Sequence, residues 1–366
     1  MIDKNSLYRE RFAQTLAHEP VDRPPMDLGA TDMTGIDGAP RRLAGILGIP
    51  ADSPDPDEAV LKSLDIDIRG VGYILVPRGS RERQISPTQR MDCWGITYEF
   101  NGHHYEAVGR PLAGATLDDL DNYPWPDPQG LDLSEIAALT ERARRLREET
   151  PYVVCGRHPV FGVMELGCWM CGFDDFLCRM AGEPEFVERF FDIVLEYQRR
   201  VIDVYYGAIG KYLHFTTSGD DIGTQKGPFL STRMFSELVA PYMEKRIRMT
   251  RKHTDAAFFH HSCGGIRPLV PELIRIGVDI LNPIQPGAFG MEPEVLKQEF
   301  GTRITFYGGV DTQRLLREAA PEQVAASAGD LARILGTSGG YILSAAHTLQ
   351  DDVPDENVVA MFRACV

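Results

Sequence analysis

Residues 256–265 read Ala256-Ala257-Phe258-Phe259-His260-His261-Ser262-Cys263-Gly264-Gly265, an apolar run that ends in polar residues and two glycines. The run predicts a short buried strand, and the glycines predict a turn directly after it. In an extended chain residues i and i+2 project from the same face, so His261 and Cys263 can converge on one ion. Zinc accepts such a mixed nitrogen and sulfur set. An isolated His-x-Cys pair is more often a buried thiol beside a surface histidine, so the metal interpretation depends on the rest of the chain.

Similar apolar segments recur along the chain and set the expected architecture. They lie at residues 25–29, 66–74, 152–158, 212–217, 256–261, 279–283, 304–309 and 340–344. Helical patterns separate most of them, and residues 185–206 carry apolar side chains at helical spacing. Strands that alternate with helices favour a parallel sheet with helices outside it. Eight such units predict an α/β fold of the (β/α)8 TIM barrel type, with the residues before the first strand as an N-terminal extension.

The first third of the chain departs from the barrel pattern. Residues 96–100 and 103–107 flank Asn101-Gly102, and both of these residues tolerate the positive φ of a two-residue turn. This pattern predicts an inserted β-hairpin, and the proline-rich connector at 122–130 follows it. We therefore expect one TIM-barrel domain over residues 1–366, with an insertion at about 79–130.

Composition excludes several classes of function. A net charge of -15, from 38 basic and 53 acidic residues, argues against a nucleic-acid binder, whose phosphate ligand requires clustered lysine and arginine. A content of 43% hydrophobic residues and 25% charged residues is that of an ordinary globular protein. The sequence shows no apolar leader and no stretch long enough to span a membrane, and its seven cysteines are scattered. These features predict a cytoplasmic protein with reduced thiols.

Polar side chains at strand ends are the candidates for an active site, because the loops after the strands of an α/β barrel build it. Here they are Asp27, Asp32, His158, Glu165, Asp220, Asp221, His261, Cys263, Gln285, Asp311 and His347. Each alone fits a solvated or helix-capping residue, and for Asp32 and Asp221 capping is an equal alternative. As a set they predict a site rich in carboxylates with few nearby bases. Such a site favours a neutral or cationic small molecule.

Four segments resemble a known superfamily. They are Phe258-Phe259-His260-His261-Ser262-Cys263-Gly264-Gly265, Gly277-Val278-Asp279-Ile280-Leu281-Asn282-Pro283, Phe306-Tyr307-Gly308-Gly309-Val310-Asp311, and residues 340–347 with Pro354-Asp355-Glu356-Asn357 after them. Together they resemble the uroporphyrinogen decarboxylase-like superfamily, which contains the heme-pathway decarboxylase and the cobalamin-dependent methyltransferases. The likeness is strongest from about residue 210 onward, and Gly219 to Gln225 is similar to the corrinoid-dependent demethylating branch.

The resemblance implies three zinc ligands. In the zinc-bearing methyltransferases a His-x-Cys pair is joined by a third ligand after the last strand, which is a cysteine in the coenzyme M branch. The matching positions here are His261, Cys263 and His347, the last lying nine residues before Glu356. The decarboxylase branch holds substrate carboxylates with an arginine-containing motif near its N-terminus. This chain has Asp27 and Asp32 there, which would repel a polyanion.

We therefore expect a zinc-dependent methyltransferase. It moves a methyl group between a small methoxy or methylamine substrate and a corrinoid (cobalamin) carried by a partner protein, and a homodimer is compatible with this expectation. One cysteine and two neutral histidines leave zinc more Lewis-acidic than two cysteines do, which favours demethylation. The expected catalytic residues are Asp27, Asp220 and Glu165, and the expected substrate-binding residues are His158, Asp221, Gln225, Gln285 and Asp311.

Two alternatives use the same barrel. One is a decarboxylase-type lyase without metal, in which Asp27, Asp220 and His347 act as acids and bases. The other is a barrel that binds a ligand without turnover. Zinc content separates the lyase from the methyltransferase, and turnover with a corrinoid partner separates the binding protein from both.

Overall fold

A seven-stranded parallel sheet forms the centre of the structure, which is a computed structural model and describes residues 4–102 and 105–365. Each strand pairs in parallel with the next strand of this sheet along the chain. The strands are β1 (Ile68–Val71), β2 (Val153–Gly156), β3 (Phe215–Thr216), β4 (Ala257–His261), β5 (Ile280–Ile284), β6 (Thr305–Gly308) and β7 (Tyr341–Ile342). The predicted α/β class and seven of the eight predicted strands are thereby confirmed.

The strands enclose an apolar interior. Phe215, Phe259 and Tyr307 are fully buried and meet there at ring-centroid distances of 5.2 to 6.3 Å. The predicted N-terminal extension is the helix Lys4–Leu16, and its Phe12 stacks on Phe215 at 5.4 Å. The extension therefore packs against the interior of the sheet and contributes to its core.

The eighth predicted strand, at 25–29, is reduced to a single parallel bridge between Met26 and Leu343. Leu343 donates its N–H to the Pro25 carbonyl, and Asp27 donates to the Leu343 carbonyl. On the other side, the Asp67 N–H donates to the Met26 carbonyl. This segment thus contacts the chain next to both β1 and β7. It does not form a longer strand because Pro24 and Pro25 have no N–H to donate.

Helices flank the sheet. The α-helices after the N-terminal one are Pro56–Ser63, Leu117–Asn122, Leu133–Glu149, Val163–Cys171, Phe173–Gly182, Pro184–Ile209, Thr232–Met234, Ala240–Arg251, Val270–Ile276, Pro293–Phe300, Leu315–Glu318, Pro321–Gly336 and Asp355–Arg363. The helix predicted at 185–206 is confirmed by Pro184–Ile209. Over the described ranges, no helix has the length and apolar character needed to cross a bilayer.

The predicted insertion holds a four-stranded antiparallel sheet rather than a simple hairpin. Its strands are Arg83–Gln84, Gln89–Met91, Thr97–Phe100 and Tyr105–Gly109. The predicted hairpin strands do pair, with Phe100 opposite Tyr105 and Glu99 opposite Glu106. Residues 103 and 104 of the predicted hairpin lie outside the described residues. The first two strands were missed because they are short and polar, with no alternating apolar face.

Candidate metal centre

The end of β4 brings two predicted ligands together. His261 is the last residue of the strand, and Cys263 follows two positions later on the same face. The Cys263 Sγ lies 3.5 Å from the His261 Nε2. Gly264 follows with a φ of +91°, and a Cβ there would lie 2.6 Å from the Gly223 backbone carbon. A glycine is therefore required at this turn. Its lack of a side chain lets the loop after β3 pack closely against the turn that follows His261 and Cys263.

The third predicted ligand lies beside the first two. His347 stands in the loop after β7, and its ring centroid is 5.6 Å from that of His261. One ligand atom from each of His261, Cys263 and His347 lies within 4.8 Å of the other two. The structure thus brings His347 to a pair of side chains that lies more than 80 residues earlier in the sequence.

His261 is held in one tautomer by a buried amide. Its Nδ1 lies 2.6 Å from the Oδ1 of Asn282, which is fully buried in the middle of β5. The Asn282 Nδ2 donates to the Tyr307 carbonyl, so its Oδ1 faces the histidine. Because an amide oxygen only accepts, the His261 Nδ1 carries the proton and Nε2 keeps a free lone pair. An orienting partner of this kind is typical of histidines that bind metals.

Cys263 is fixed by two neighbours. Its backbone N–H donates to the Asp221 Oδ1 at 2.8 Å, and the Gln285 Nε2 donates to its Sγ at 3.4 Å. Burial, followed by the negative charge of Asp221, raises the pKa of the Cys263 thiol to about 12. Burial also lowers the pKa of His347 to about 4, and the nearby His261 adds to the effect. His347 is therefore neutral at neutral pH, as a metal ligand must be.

The donor set and its spacing fit zinc. With Zn–S near 2.3 Å and Zn–N near 2.05 Å, tetrahedral geometry separates a sulfur and a nitrogen ligand by about 3.6 Å. The Sγ to Nε2 distance of 3.5 Å agrees with this value. Three protein ligands leave one tetrahedral position open for a reacting molecule. The group can therefore hold a catalytic type of zinc ion.

A cavity of ≈ 480 Å³ opens above the candidate ligands, and Cys263 and His347 line it. Its other walls come from the loops after β3, β5, β6 and β7, and they include the predicted residues Gln225 and Gln285. Asp221 does not line the cavity, but its Oδ1 lies 3.7 Å from the His261 Nε2. Asp311 does not line the cavity. Its carboxylate accepts the N–H groups of residues 313–315 in the turn before helix Leu315–Glu318.

Two predicted catalytic carboxylates have backbone partners. Asp27 is buried and accepts the Ala30 N–H and the Thr34 hydroxyl, which closes the loop after residue 26. Asp220 is buried and accepts the N–H groups of Met164 and Glu165, the first turn of helix Val163–Cys171. Burial raises the pKa of Asp220 to about 6, although the two N–H groups oppose the rise. The contacts of both residues are structural, and their catalytic roles stay predictions.

Glu165 differs from these two residues, because its carboxylate makes no hydrogen bond to any described residue. Burial raises its pKa well above the usual range, and the carboxylates of Asp221 and Asp220 raise it further. The raised pKa favours the neutral form of Glu165 over the charged form. His158 is buried against Thr217, with the ring Nδ1 3.3 Å from the hydroxyl, and burial lowers its pKa to about 3.

The four aspartates of the predicted acidic mouth occupy different positions relative to the cavity. None of Asp27, Asp32, Asp220 and Asp221 lines the cavity, and Asp32 is paired with Arg157 at 3.4 Å. Sequence reasoning also missed residues that do line it, namely Thr312, Gln313, Arg317, Gln350 and Asp352. It missed the role of Asn282 as well, although that residue stands in the Leu281-Asn282-Pro283 segment that carries the resemblance.

Comparisons with known proteins identify the family and the fold. The family model described as uroporphyrinogen decarboxylase (URO-D) matches residues 92–366. No curated protein matches the sequence. Among solved structures, a methyltransferase from Methanosarcina mazei has a TM-score of 0.67 and 16% identity, and the match covers 98% of this chain and 98% of that chain. Native xylanase 10B from Thermotoga maritima has a TM-score of 0.40 and 11% identity over 65% of this chain and 81% of that chain. At these identities the likeness concerns the fold alone.

Proposed function

The chain belongs to the uroporphyrinogen decarboxylase family, and from this premise we propose that it is a zinc-dependent methyltransferase. It moves a methyl group between a small methylated substrate and a corrinoid carried by a partner protein. The observation that carries the proposal is the convergence of His261, Cys263 and His347, two of which, Cys263 and His347, line an open cavity. A metal-independent decarboxylase has no need of such a ligand set. A methyltransferase that uses a metal ion as a Lewis acid beside the methyl donor requires one.

Zinc held by these three residues supplies Lewis acidity to a heteroatom of the substrate. In the demethylating direction the bond between the methyl carbon and this heteroatom breaks, and its electron pair stays on the heteroatom. A reduced corrinoid on the partner protein would accept the methyl group and would supply the electron pair of the new bond. The heteroatom then takes up one proton, so charge and electrons balance.

We assign the delivery of this proton to Glu165. Burial and two neighbouring carboxylates raise its pKa well above the usual range, which favours its protonated form. Its N–H donates to Asp220, and the adjacent Asp221 accepts the Cys263 N–H, so Glu165 is connected to the ligand group through two neighbouring residues. A buried carboxylic acid with a raised pKa is a suitable general acid.

The alternative is a metal-independent lyase of the decarboxylase type, which the description of the family model favours. A multiply anionic substrate requires several unpaired cations around its carboxylates. The cavity has Arg317, and this residue is paired with Asp352 at 2.7 Å. The charge of the cavity therefore supports the methyltransferase over the lyase.

A reconstitution experiment tests the proposal. Zinc-loaded protein is mixed with chemically reduced cobalamin and a set of O-methyl and N-methyl donors, and methylation is followed by the change in the corrinoid absorption spectrum. We expect transfer from at least one donor, and its loss in Cys263→Ala. Cys178→Ala is the matched control, because Cys178 is exposed and outside the cavity. Equal transfer by both variants would contradict the assignment. Release of carbon dioxide from uroporphyrinogen by zinc-free protein would restore the lyase.

A further inference from the structure

The inserted sheet, which is the four-stranded antiparallel sheet between residues 83 and 109, reaches the cavity above the candidate metal ligands. Phe100 and Gly102, at one end of this sheet, line a second cavity of ≈ 860 Å³ together with residues of the 350–355 loop. Three residues of that loop line both cavities, namely Gln350, Asp352 and Val353. The two cavities therefore adjoin each other, and a molecule that spans them contacts the inserted sheet.

One side of the inserted sheet presents aromatic rings. Phe100 lies opposite Tyr105 in the ladder, and their ring centroids are 5.3 Å apart. Arg90 lies opposite Tyr98, and its guanidinium is 4.4 Å from the centroid of the Tyr105 ring. Paired residues, and residues two apart on one strand, share a side of a sheet. The four side chains therefore form one continuous surface, which includes the Phe100 ring.

The outer part of this aromatic surface is accessible to a partner. Phe100 is 40% exposed and Tyr105 is 38% exposed. Tyr98 is half-buried, and its hydroxyl donates to the Asp92 carboxylate at 3.1 Å, which fixes the inner part of the surface. Aromatic side chains provide a large apolar contact area, and tyrosine and arginine are frequent anchors of binding interfaces. The surface thus suits a flat, conjugated molecule.

The second cavity also carries unpaired negative charge. Four aspartates line it, and two of them, Asp352 and Asp355, form ion pairs with arginines. The other two are Asp37 and Asp351, whose carboxylates have no hydrogen-bond or ion-pair partner among the described residues. An ionised carboxylate only accepts hydrogen bonds, so these two groups favour an occupant that offers N–H donors at its rim.

We propose that the aromatic side of the inserted sheet is the docking surface for the corrinoid that exchanges the methyl group. A corrinoid is a flat, conjugated macrocycle with primary amides around its rim. The macrocycle contacts Phe100 and Tyr105, and its amide N–H groups pair with the carboxylates of Asp37 and Asp351. Because the two cavities adjoin, a corrinoid in this position is next to a methyl donor above the candidate ligands. The assignment rests on the proposed function, since it identifies the corrinoid surface of the same site.

Calorimetric titration of the zinc-loaded protein with hydroxocobalamin tests this surface without requiring turnover. Phe100→Ala and Tyr105→Ala each remove one exposed ring, and each is expected to weaken cobalamin binding about tenfold. Phe173→Ala is the matched control, because Phe173 is also 40% exposed and contacts another phenylalanine ring, yet it lines neither cavity. We expect wild-type zinc content in all three variants, since none of these residues lines the cavity above the candidate ligands.

The outcomes separate the docking surface from the proposed function. Cobalamin binding that Phe100→Ala and Tyr105→Ala weaken, without methyl transfer from any donor, supports the docking surface and contradicts the proposed function. Methyl transfer with wild-type cobalamin affinity in both variants keeps the proposed function and overturns the docking surface. Failure of the wild-type protein to bind cobalamin, or an equal loss of binding in Phe173→Ala, also overturns the docking surface.

Discussion

Asn282→Leu is expected to weaken zinc binding while the protein stays folded. Asn282 is fully buried, accepts from the His261 Nδ1 at 2.6 Å and donates to the Tyr307 carbonyl at 3.3 Å. Leucine has a similar volume but cannot hold the histidine in the tautomer that leaves Nε2 free. Loss of such an orienting partner reduces metal affinity ~10–100-fold, which corresponds to about 1.4 to 2.8 kcal/mol.

The same substitution also leaves a buried N–H without a partner. This costs about 1 to 3 kcal/mol of unfolding free energy whether or not zinc is present. Zinc affinity is therefore measured by competition with a chromophoric chelator, and stability is measured separately by urea unfolding in excess chelator. The two measurements distinguish the loss of ligand orientation from general destabilisation.

Asn357→Leu provides the matched control. Asn357 is 2% exposed and donates to the carbonyls of Leu316 and Ala319, so its replacement also removes a buried amide. We expect it to lower stability and leave zinc affinity unchanged. Wild-type zinc affinity in Asn282→Leu, or an equal loss in Asn357→Leu, would refute the reasoning.

The remaining expectations concern the third ligand, its loop and the helix cap. His347→Ala should lower zinc affinity at least tenfold in the chelator competition, whereas His347→Cys should retain zinc because a thiolate replaces the imidazole. Arg42→Met should weaken zinc binding severalfold, because Arg42 holds the 350–355 loop through Asp355 and the Gln350 carbonyl, and the exposed Arg41→Met should not. Asp220→Asn should lower the urea-unfolding free energy by about 1 kcal/mol, because one amide oxygen replaces two carboxylate oxygens at a helix start. Unchanged stability there would show that the cap is dispensable.

The sequence was sufficient for the sheet because its strands are apolar and separated by patterned helices. It failed at 25–29, where the apolar pattern is present but Pro24 and Pro25 prevent a hydrogen-bonded ladder. It also underestimated the insertion, since strands as short as Arg83–Gln84 and Gln89–Met91 leave no periodic signal. These two segments are strands because they pair with each other and with the next strand of the small sheet. Such pairing leaves no pattern in the sequence of either segment.

The residues of the candidate site also fall into those that the sequence could predict and those that it could not. His261 and Cys263 were accessible because two positions along a strand fix their relative direction, and His347 came from the family resemblance. Whether a strand-end carboxylate faces the cavity or the next helix depends on loop geometry. Asp220 therefore fits the pattern of an active-site acid, yet its contacts are those of a helix cap. Gln313 and Gln350 were missed because a polar loop residue that lines a cavity has the same local sequence pattern as one on a solvated surface.

The most direct measurement of the central claim is an anomalous X-ray difference map collected at the zinc absorption edge on crystals of the purified protein. We expect one strong peak, about 2.0 to 2.3 Å from the His261 Nε2, the Cys263 Sγ and a ring nitrogen of His347. A folded protein that binds no zinc, or a zinc peak away from these three residues, would contradict it.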